Sequence, residues 1–468
     1  MTLRITQIVF FFCFFKASSV YAQEVFLHPE QVLEWVKNYH PVVKQANLGI
    51  RISKSEILQA RASFDPFLTT YISQKTFNGI DYYRDVSPEL KLPTWIGADI
   101  IMGTENYVGS RLDPSLSEGQ SSYLGVNVPL VKNLIIDKRR AYLKQAKIFK
   151  TISENEQEAI VNDINIEAMN AYWNWVKAFR ILEVTNQNVL INKKRFEFIK
   201  RSFENGEKAA IDTIEAAAQL QNFLLAQIVD KLEFQNTGLM LSSFLWLEND
   251  KPYQLPNQII PTPQAADDEI VSQFQVALNQ LLEQSINHPE LKAYQYKLDI
   301  LRIDKKLKFQ ELLPVVNFRY NFLSKDLNIP NRIQESQFFD NNYQYGLKFE
   351  MPLRLSQGRA SYQIAKLKID QTTLAQNQKK LEIEIKVKTY FNEFIGLQNQ
   401  LKIQKENFKN YSMLLKAEET KLKNGESSLF LINSRETKAQ EANQKLIELQ
   451  TKYYQSIYKL QWSAGILR

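Results

Sequence analysis

The side chains best suited to chemistry are few. Three histidines (His28, His40 and His288) and one cysteine (Cys13) are all the chain offers for imidazole or thiolate work. A catalytic or metal-binding histidine needs a partner at a set spacing, such as a second histidine one helical turn away flanking a glutamate. No such pattern surrounds these three. His40-Pro41 and His288-Pro289 instead read as helix starts. Proline is preorganised for the first helical turn, and a polar side chain before it can accept from a free backbone N–H. No glycine-rich phosphate loop follows a strand pattern, and the acidic residues fall on the outer faces of heptads. The expectation is a protein that is not an enzyme and has no cofactor and no metal.

Cys13 sits in an apolar run, Ile5 to Phe15, behind Arg4 and ahead of Val20-Tyr21-Ala22. That order predicts a secretory signal over 1–22, with cleavage after Ala22. Cleavage would take the only cysteine with it, leaving no disulfide and no thiolate site. Lysine and arginine number 58 against 51 aspartates and glutamates, a mild and dispersed excess that predicts no nucleic-acid partner. Beyond the signal no stretch approaches the roughly 18 uninterrupted apolar residues of a membrane helix. An exported chain of this kind is periplasmic or crosses the outer membrane as β-structure.

The elements that position the remaining residues repeat. A helical pattern runs from His40-Pro41 to Asp65-Pro66, and another from His288-Pro289 to Leu313-Pro314. Further on, an offset of 219 carries Arg140-Ala141 onto Arg359-Ala360 and Asn205-Gly206-Glu207 onto Asn424-Gly425-Glu426. Steps of seven from Val161 give Ala168, Trp175, Leu182, Val189, Phe196 and Phe203. Their counterparts are Val387, Phe394, Leu401, Phe408, Leu415 and Leu422. Sustained a/d spacing of this kind predicts long helices packed as coiled coils. A helix from Ile148 to Glu204 would reach roughly 85 Å at 1.5 Å per residue. Each Asn-Gly reverses the chain, and a second heptad run follows: Ile211, Ala218, Leu225, Leu232 and Leu239, or Ile432, Ala439, Leu446, Tyr453 and Leu460. Each half is therefore expected to hold a long helical hairpin. The division is 1–22 signal, 23–246 first repeat, 247–270 proline-bearing linker (Pro252, Pro256, Pro261, Pro263) and 271–468 second repeat.

Between the helices lie segments alternating with period two. Val316, Phe318, Tyr320 and Phe322 face one way, with Asn317, Arg319 and Asn321 opposite. Tyr343, Tyr345, Leu347, Phe349 and Met351 alternate with Gln344, Gly346, Lys348 and Glu350, and Leu124, Val126 and Val128 with Tyr123, Gly125 and Asn127. A weaker case runs from Asp65 to Lys75. Apolar residues outside and polar ones inside, over about ten residues, fit an outer-membrane barrel. On this reading Asn317, Arg319, Asn321, Lys348 and Glu350 line the lumen. Four strands cannot close a ring, so the chain must pool strands with copies of itself. Three copies would give twelve, and closure alone would also permit two or four. The segment from Phe77 to Gln120 is expected to be a long connection, in which Leu90–Trp95 and Ile100–Gly103 could add strand. Residues 325–340 form a second, shorter loop. The alternative is a soluble periplasmic coiled-coil scaffold.

The plan of helix, two strands and long helical hairpin, made twice behind a signal peptide, resembles the TolC-type outer-membrane efflux and secretion channels. Asn287-His288-Pro289-Glu290-Leu291 is similar to the family's repeat start. Val128-Pro129-Leu130 and Met351-Pro352-Leu353 are similar to its strand ends. Phe203-Glu204-Asn205-Gly206, with Asp212 six residues after the glycine, is the most specific match. The resemblance implies a mainly α protein with a β part. It forms a homotrimer in the outer membrane, with a twelve-strand transmembrane β-barrel of four strands per protomer and an α-helical barrel in the periplasm. It also implies a periplasmic adaptor protein docking on the hairpin tips, and an inner-membrane transporter beyond it. The tips here are Asn205, Gly206, Glu207, Asp212, Asn424, Gly425 and Glu426. Some members place aspartates six and nine residues after the second glycine, at the periplasmic entrance. Here those positions hold Leu431 and Ser434, and Glu426 or Glu436 is the available acid.

Overall fold

The computed structural model describes residues 25–110, 119–256, 258–262, 277–325 and 341–467. The expected signal at 1–22, residues 263–270 of the linker and the loop at 326–340 lie outside them. In chain order the elements are β1 (Val25–Leu27), α1 (Pro29–Tyr39), α2 (Pro41–Arg61), β2 (Phe67–Phe77), β3 (Ile80–Pro93), β4 (Asp99–Val108), β5 (Gln120–Pro129), α3 (Lys138–Glu204) and α4 (Ala210–Ser242). They continue with β6 (Ile259–Pro261), α5 (Leu278–Ser285), α6 (Pro289–Phe309), β7 (Val315–Lys325), β8 (Tyr343–Glu350), α7 (Ser356–Lys423) and α8 (Leu429–Ser463).

The duplication is visible element by element. Helices α2 and α6 are each 21 residues long and end in a three-residue 3-10 turn before a strand. His40 Nδ1 accepts from the Val42 N–H at 3.3 Å, and His288 Nδ1 from the Glu290 N–H at 3.2 Å, so both imidazoles are N-caps. Helices α3 and α7 run 67 and 68 residues. Their a/d rows are largely buried: Val161, Ala168, Trp175, Val189 and Ile199 in the first, and Ile383, Val387, Phe394, Leu397 and Leu401 in the second. Asn162, Met169, Tyr172, Trp173 and Val176 are buried too, so the covered face of α3 is broader than one coiled-coil seam.

The compact units of the chain are not its sequential repeats. One comprises 1–35, 168–274 and 400–452; the other comprises 36–167, 275–399 and 453–468. Long helices run through both, so each unit draws on both halves. The first unit holds a small parallel sheet of β1 and β6. There Leu27 O accepts from Tyr172 Oη at 2.9 Å and from Thr262 Oγ1 at 3.1 Å.

The second unit holds a sheet in the order β2-β3-β4-β5-β7-β8, every neighbouring pair antiparallel. The four expected strands are present as β2, β5, β7 and β8. The expected count is corrected to six, because the segment read as a long connection forms β3 and β4 within the sheet. Asp81, Arg84, Asp85, Glu89, Lys91 and Pro88 hide β3 from a search for apolar alternation. The turn between β3 and β4 is anchored at the base of the sheet. Trp95 stacks on Phe64 at 4.4 Å, and Arg139 of α3 bonds Asp99 at 2.9 Å, with Lys91 at 3.0 Å on the same carboxylate.

Burial lowers the pKa of both capping histidines below the usual imidazole value, His288 more deeply set than His40. Their folded forms are therefore neutral where the unfolded chain already binds protons. The stability this confers is complete above about pH 6.5 and is lost as pH falls through the lowered pKa. Asparagine at position 288 also caps but cannot titrate. H288N should show a smaller loss of thermal midpoint between pH 8 and pH 5 than wild type, and an unchanged slope would exclude His288 as a contributor.

Candidate functional site: sheet wall and hairpin tips

Two places carry the residues singled out by the sequence: the inner face of the sheet, and the turns of the two long hairpins.

The register sorts the sheet into two faces. Leu68, Leu90, Met102, Leu124, Phe322 and Tyr343 form one cross-strand row, and their neighbours two residues along each strand, including Ile72, Val126, Tyr320, Tyr345 and Leu347, share that face. Leu68, Ile72, Tyr345 and Leu347 remain more than 60% exposed, so among the described residues this apolar band is left largely uncovered. The opposite face carries Glu89, Lys91, Gly103, Tyr123, Asn317, Arg319, Asn321, Lys348 and Glu350. All five expected lumen residues therefore lie on one polar face. Asn317 pairs with Lys348 across β7 and β8, and Lys348 Nζ lies 2.9 Å from Glu350.

A network that the sequence did not reveal crosses this face. Tyr123 Oη donates to Glu89 Oε2 at 2.7 Å, Arg319 Nη2 donates to the same oxygen at 3.1 Å, and the guanidinium rests over the Tyr123 ring at 5.6 Å. It links β3, β5 and β7. The phenol can cross β4 only because position 103 is glycine: a Cβ there would lie 2.5 Å from Tyr123 Oη and 2.8 Å from Pro88 O. Gly125 likewise lies beneath the Asn321 side chain.

The tips are two copies of one helix ending. Gly206 and Gly425 both adopt φ of 79°. Gly206 N donates to Phe203 O at 2.9 Å and Glu207 N to Ser202 O at 2.8 Å. In the other copy Gly425 N donates to Leu422 O at 3.0 Å and Glu426 N to Lys421 O at 2.9 Å. These are Schellman endings, which need a left-handed residue after the helix. Asp212 Oδ2 accepts from Ala209 N at 3.3 Å, so this carboxylate caps α4. The two hairpins meet just behind the turns, where Ile199, Ala216 and Leu429 are buried together with Phe196 and Leu422 against them.

Leu431 and Ser434 are exposed on α8. Glu436 differs, being only 4% exposed. Arg195 Nη1 bonds it at 2.8 Å and Asn192 Nδ2 at 3.0 Å, with Gln219 Nε2 at 3.5 Å. Of the two acids available near the second turn, Glu426 and Glu436, the latter is engaged inside the helix bundle. Arg195 is 241 residues away in sequence, beyond the reach of any local pattern.

Among the described residues no helix is long and apolar enough to cross a membrane, and no cluster of histidine, cysteine and acidic side chains could hold a metal ion. Long helical hairpins joined to a two-faced antiparallel sheet, made twice, define the TolC-type outer-membrane channel fold. Residues 278–465 match the family model described as outer membrane efflux protein. Solved structures share the fold over nearly the whole chain. The CmeC outer membrane channel of Campylobacter jejuni is 15% identical with TM-score 0.64, covering 94% of this chain and 86% of its own. The outer membrane protein VceC of Vibrio cholerae is 13% identical with TM-score 0.64, covering 93% and 96%. The MtrE outer membrane channel of Neisseria gonorrhoeae, in its open state, is 13% identical with TM-score 0.63, covering 96% and 94%. No curated protein sequence matches the chain.

Two substitutions test the tip region. Glu436→Ala removes the closer of the two carboxylates on the buried Arg195, leaving Glu419 at 3.9 Å, and should cost about 3 kcal/mol locally. Hydrogen exchange should show it as faster exchange confined to α8 and the end of α3; uniform protection would contradict the pairing. A Cβ at position 206 would meet no neighbouring atom within 4 Å, so the main cost of Gly206→Val is the left-handed backbone, about 1–2 kcal/mol. Amides 202–210 should lose protection while the rest of the chain keeps it.

Proposed function

We propose that this chain is one subunit of a homotrimeric outer-membrane channel, the passive exit duct of a tripartite efflux pump or a type I secretion system. The observation that carries the reading is the two-faced sheet. One face is an uncovered apolar and aromatic band, the other polar and charged, and the same chain continues into two long helical hairpins. Lipid takes the apolar face, and a water-filled lumen takes Asn317, Arg319, Asn321, Lys348 and Glu350. A sheet with free edges is not tolerated in lipid, so identical copies supply the missing neighbours.

The helices support the same assembly. The row Ile211, Leu225, Leu232 and Leu239 on α4 stays exposed in the protomer, as do Leu367, Leu374 and Leu381 on α7. Each keeps heptad spacing, the form of a face awaiting another helix. Asn205, Gly206, Glu207, Asn424, Gly425 and Glu426 are the proposed contacts for a periplasmic adaptor, which joins the duct to an inner-membrane transporter. Leu431 and Ser434 lie nearest the proposed periplasmic entrance. A soluble periplasmic scaffold would have no use for an aromatic band left bare on a sheet.

Expressed with its own leader, the protein should fractionate with outer membranes, need detergent for extraction and migrate faster on gels before heating than after. Release by osmotic shock would overturn the reading. Gly425→Val should impair export of the cargo while leaving trimers intact; loss of trimers would mean that the turn serves assembly and not docking.

A further inference from the structure

We infer that the membrane barrel of this protein is built from eighteen strands, six per copy, and is wider than a twelve-strand ring. The inference rests on the homotrimer proposed above and concerns what its wall contains.

The repeats are in step by 248 residues ahead of the strands, where Pro41 matches Pro289 and Phe67 matches Val315, but by 219 after them, where Glu204 matches Lys423. The first repeat is thus 29 residues longer between its short and long helices. Ile80 to Val108, comprising β3, its turn and β4, is 29 residues. In the second repeat β7 pairs directly with β8, whereas in the first the equivalent β2 and β5 are held apart by this hairpin. The first repeat has gained one β-hairpin.

The added hairpin is part of the wall. Its strands of 14 and 10 residues are as long as the others. Its register sends Val86, Leu90, Leu92, Ile100 and Met102 to the lipid-facing side and Asp85, Glu89, Lys91 and Glu105 to the polar side. Its basal turn is fixed by Arg139 on Asp99 and Trp95 on Phe64. Glu89 is reached from β5 and β7 across Gly103, a contact that a detached hairpin could not make. The remaining free edges are β2 and β8, which run antiparallel to each other, so β8 of one copy can pair with β2 of the next. With six strands in each protomer every junction in the ring stays antiparallel.

Ring size follows from strand spacing and tilt. At about 4.8 Å between strands and about 40° of tilt, eighteen strands give a backbone diameter of roughly 36 Å, against roughly 24 Å for twelve.

Two measurements on the full-length protein test this. Imaging of the detergent-extracted particle along its axis should show eighteen strands around three-fold symmetry. Twelve strands, with 80–108 outside or inside the ring, would overturn the inference and leave the channel reading intact; the absence of any ring would overturn the channel reading itself. Thr104 and Ser122 are paired across β4 and β5. In intact outer membranes the T104C/S122C protein should form a disulfide within one chain, and free thiols under oxidising conditions would place β4 elsewhere and count against the wall.

Discussion

A β-sheet in hydrocarbon has no water to satisfy its edges, and each unpaired backbone group there costs several kcal/mol. Almost every other feature of this chain follows from that constraint. The sheet of β2 to β8 has one bare apolar face and two open edges, so it is incomplete as a monomer. On the channel reading, assembly is the condition on which the membrane part exists, the exposed heptad rows on α4 and α7 are the helical counterpart of the same incompleteness, and the protomer is a sector of a wall.

Stiffness comes from the helices. A helix of 67 residues needs lateral support along its length, and the broad buried face of α3 provides it, with the rings of Tyr172, Trp173 and Trp175 packed on one another and Trp175 stacked on Phe234. One buried polar cluster within these helices is satisfied across the repeats: Asn192 and Arg195 of the first hairpin close on Glu436 of the second. Such a charge pair adds less to net stability than to uniqueness, since sliding one helix past the other would strand a carboxylate in the bundle. The tips end in identical glycine turns, so the two hairpins present two copies of one shape at the far end of the helices.

Much of this was legible in the sequence, for physical reasons. Helix starts at His40-Pro41 and His288-Pro289, the glycine turns at 206 and 425, and the heptad rows are local signals, and local signals survive in a one-dimensional reading. Strands β7 and β8 were legible because aromatics alternate cleanly with polar residues. Strand β3 was not. Its polar face carries Asp85, Glu89 and Lys91, and Pro88 interrupts the run, so only Leu90–Trp95 stands out as strand, inside a long connection, until Tyr123 and Arg319 are seen bonded to Glu89. The burial of Glu436 was not legible for the converse reason: the arginine that pairs with it lies in the other half of the chain. The 29-residue mismatch between the repeats was present in the numbering, but it acquired meaning only when a hairpin of that length was found in the sheet.

The central claim is that one chain supplies a sector and identical chains supply the rest. Native mass spectrometry of the mature protein released gently from detergent addresses it most directly. Three chains per particle, held together until the detergent is exchanged for denaturant, is the expected result. A monodisperse single chain that stays soluble with no detergent at all would contradict the account.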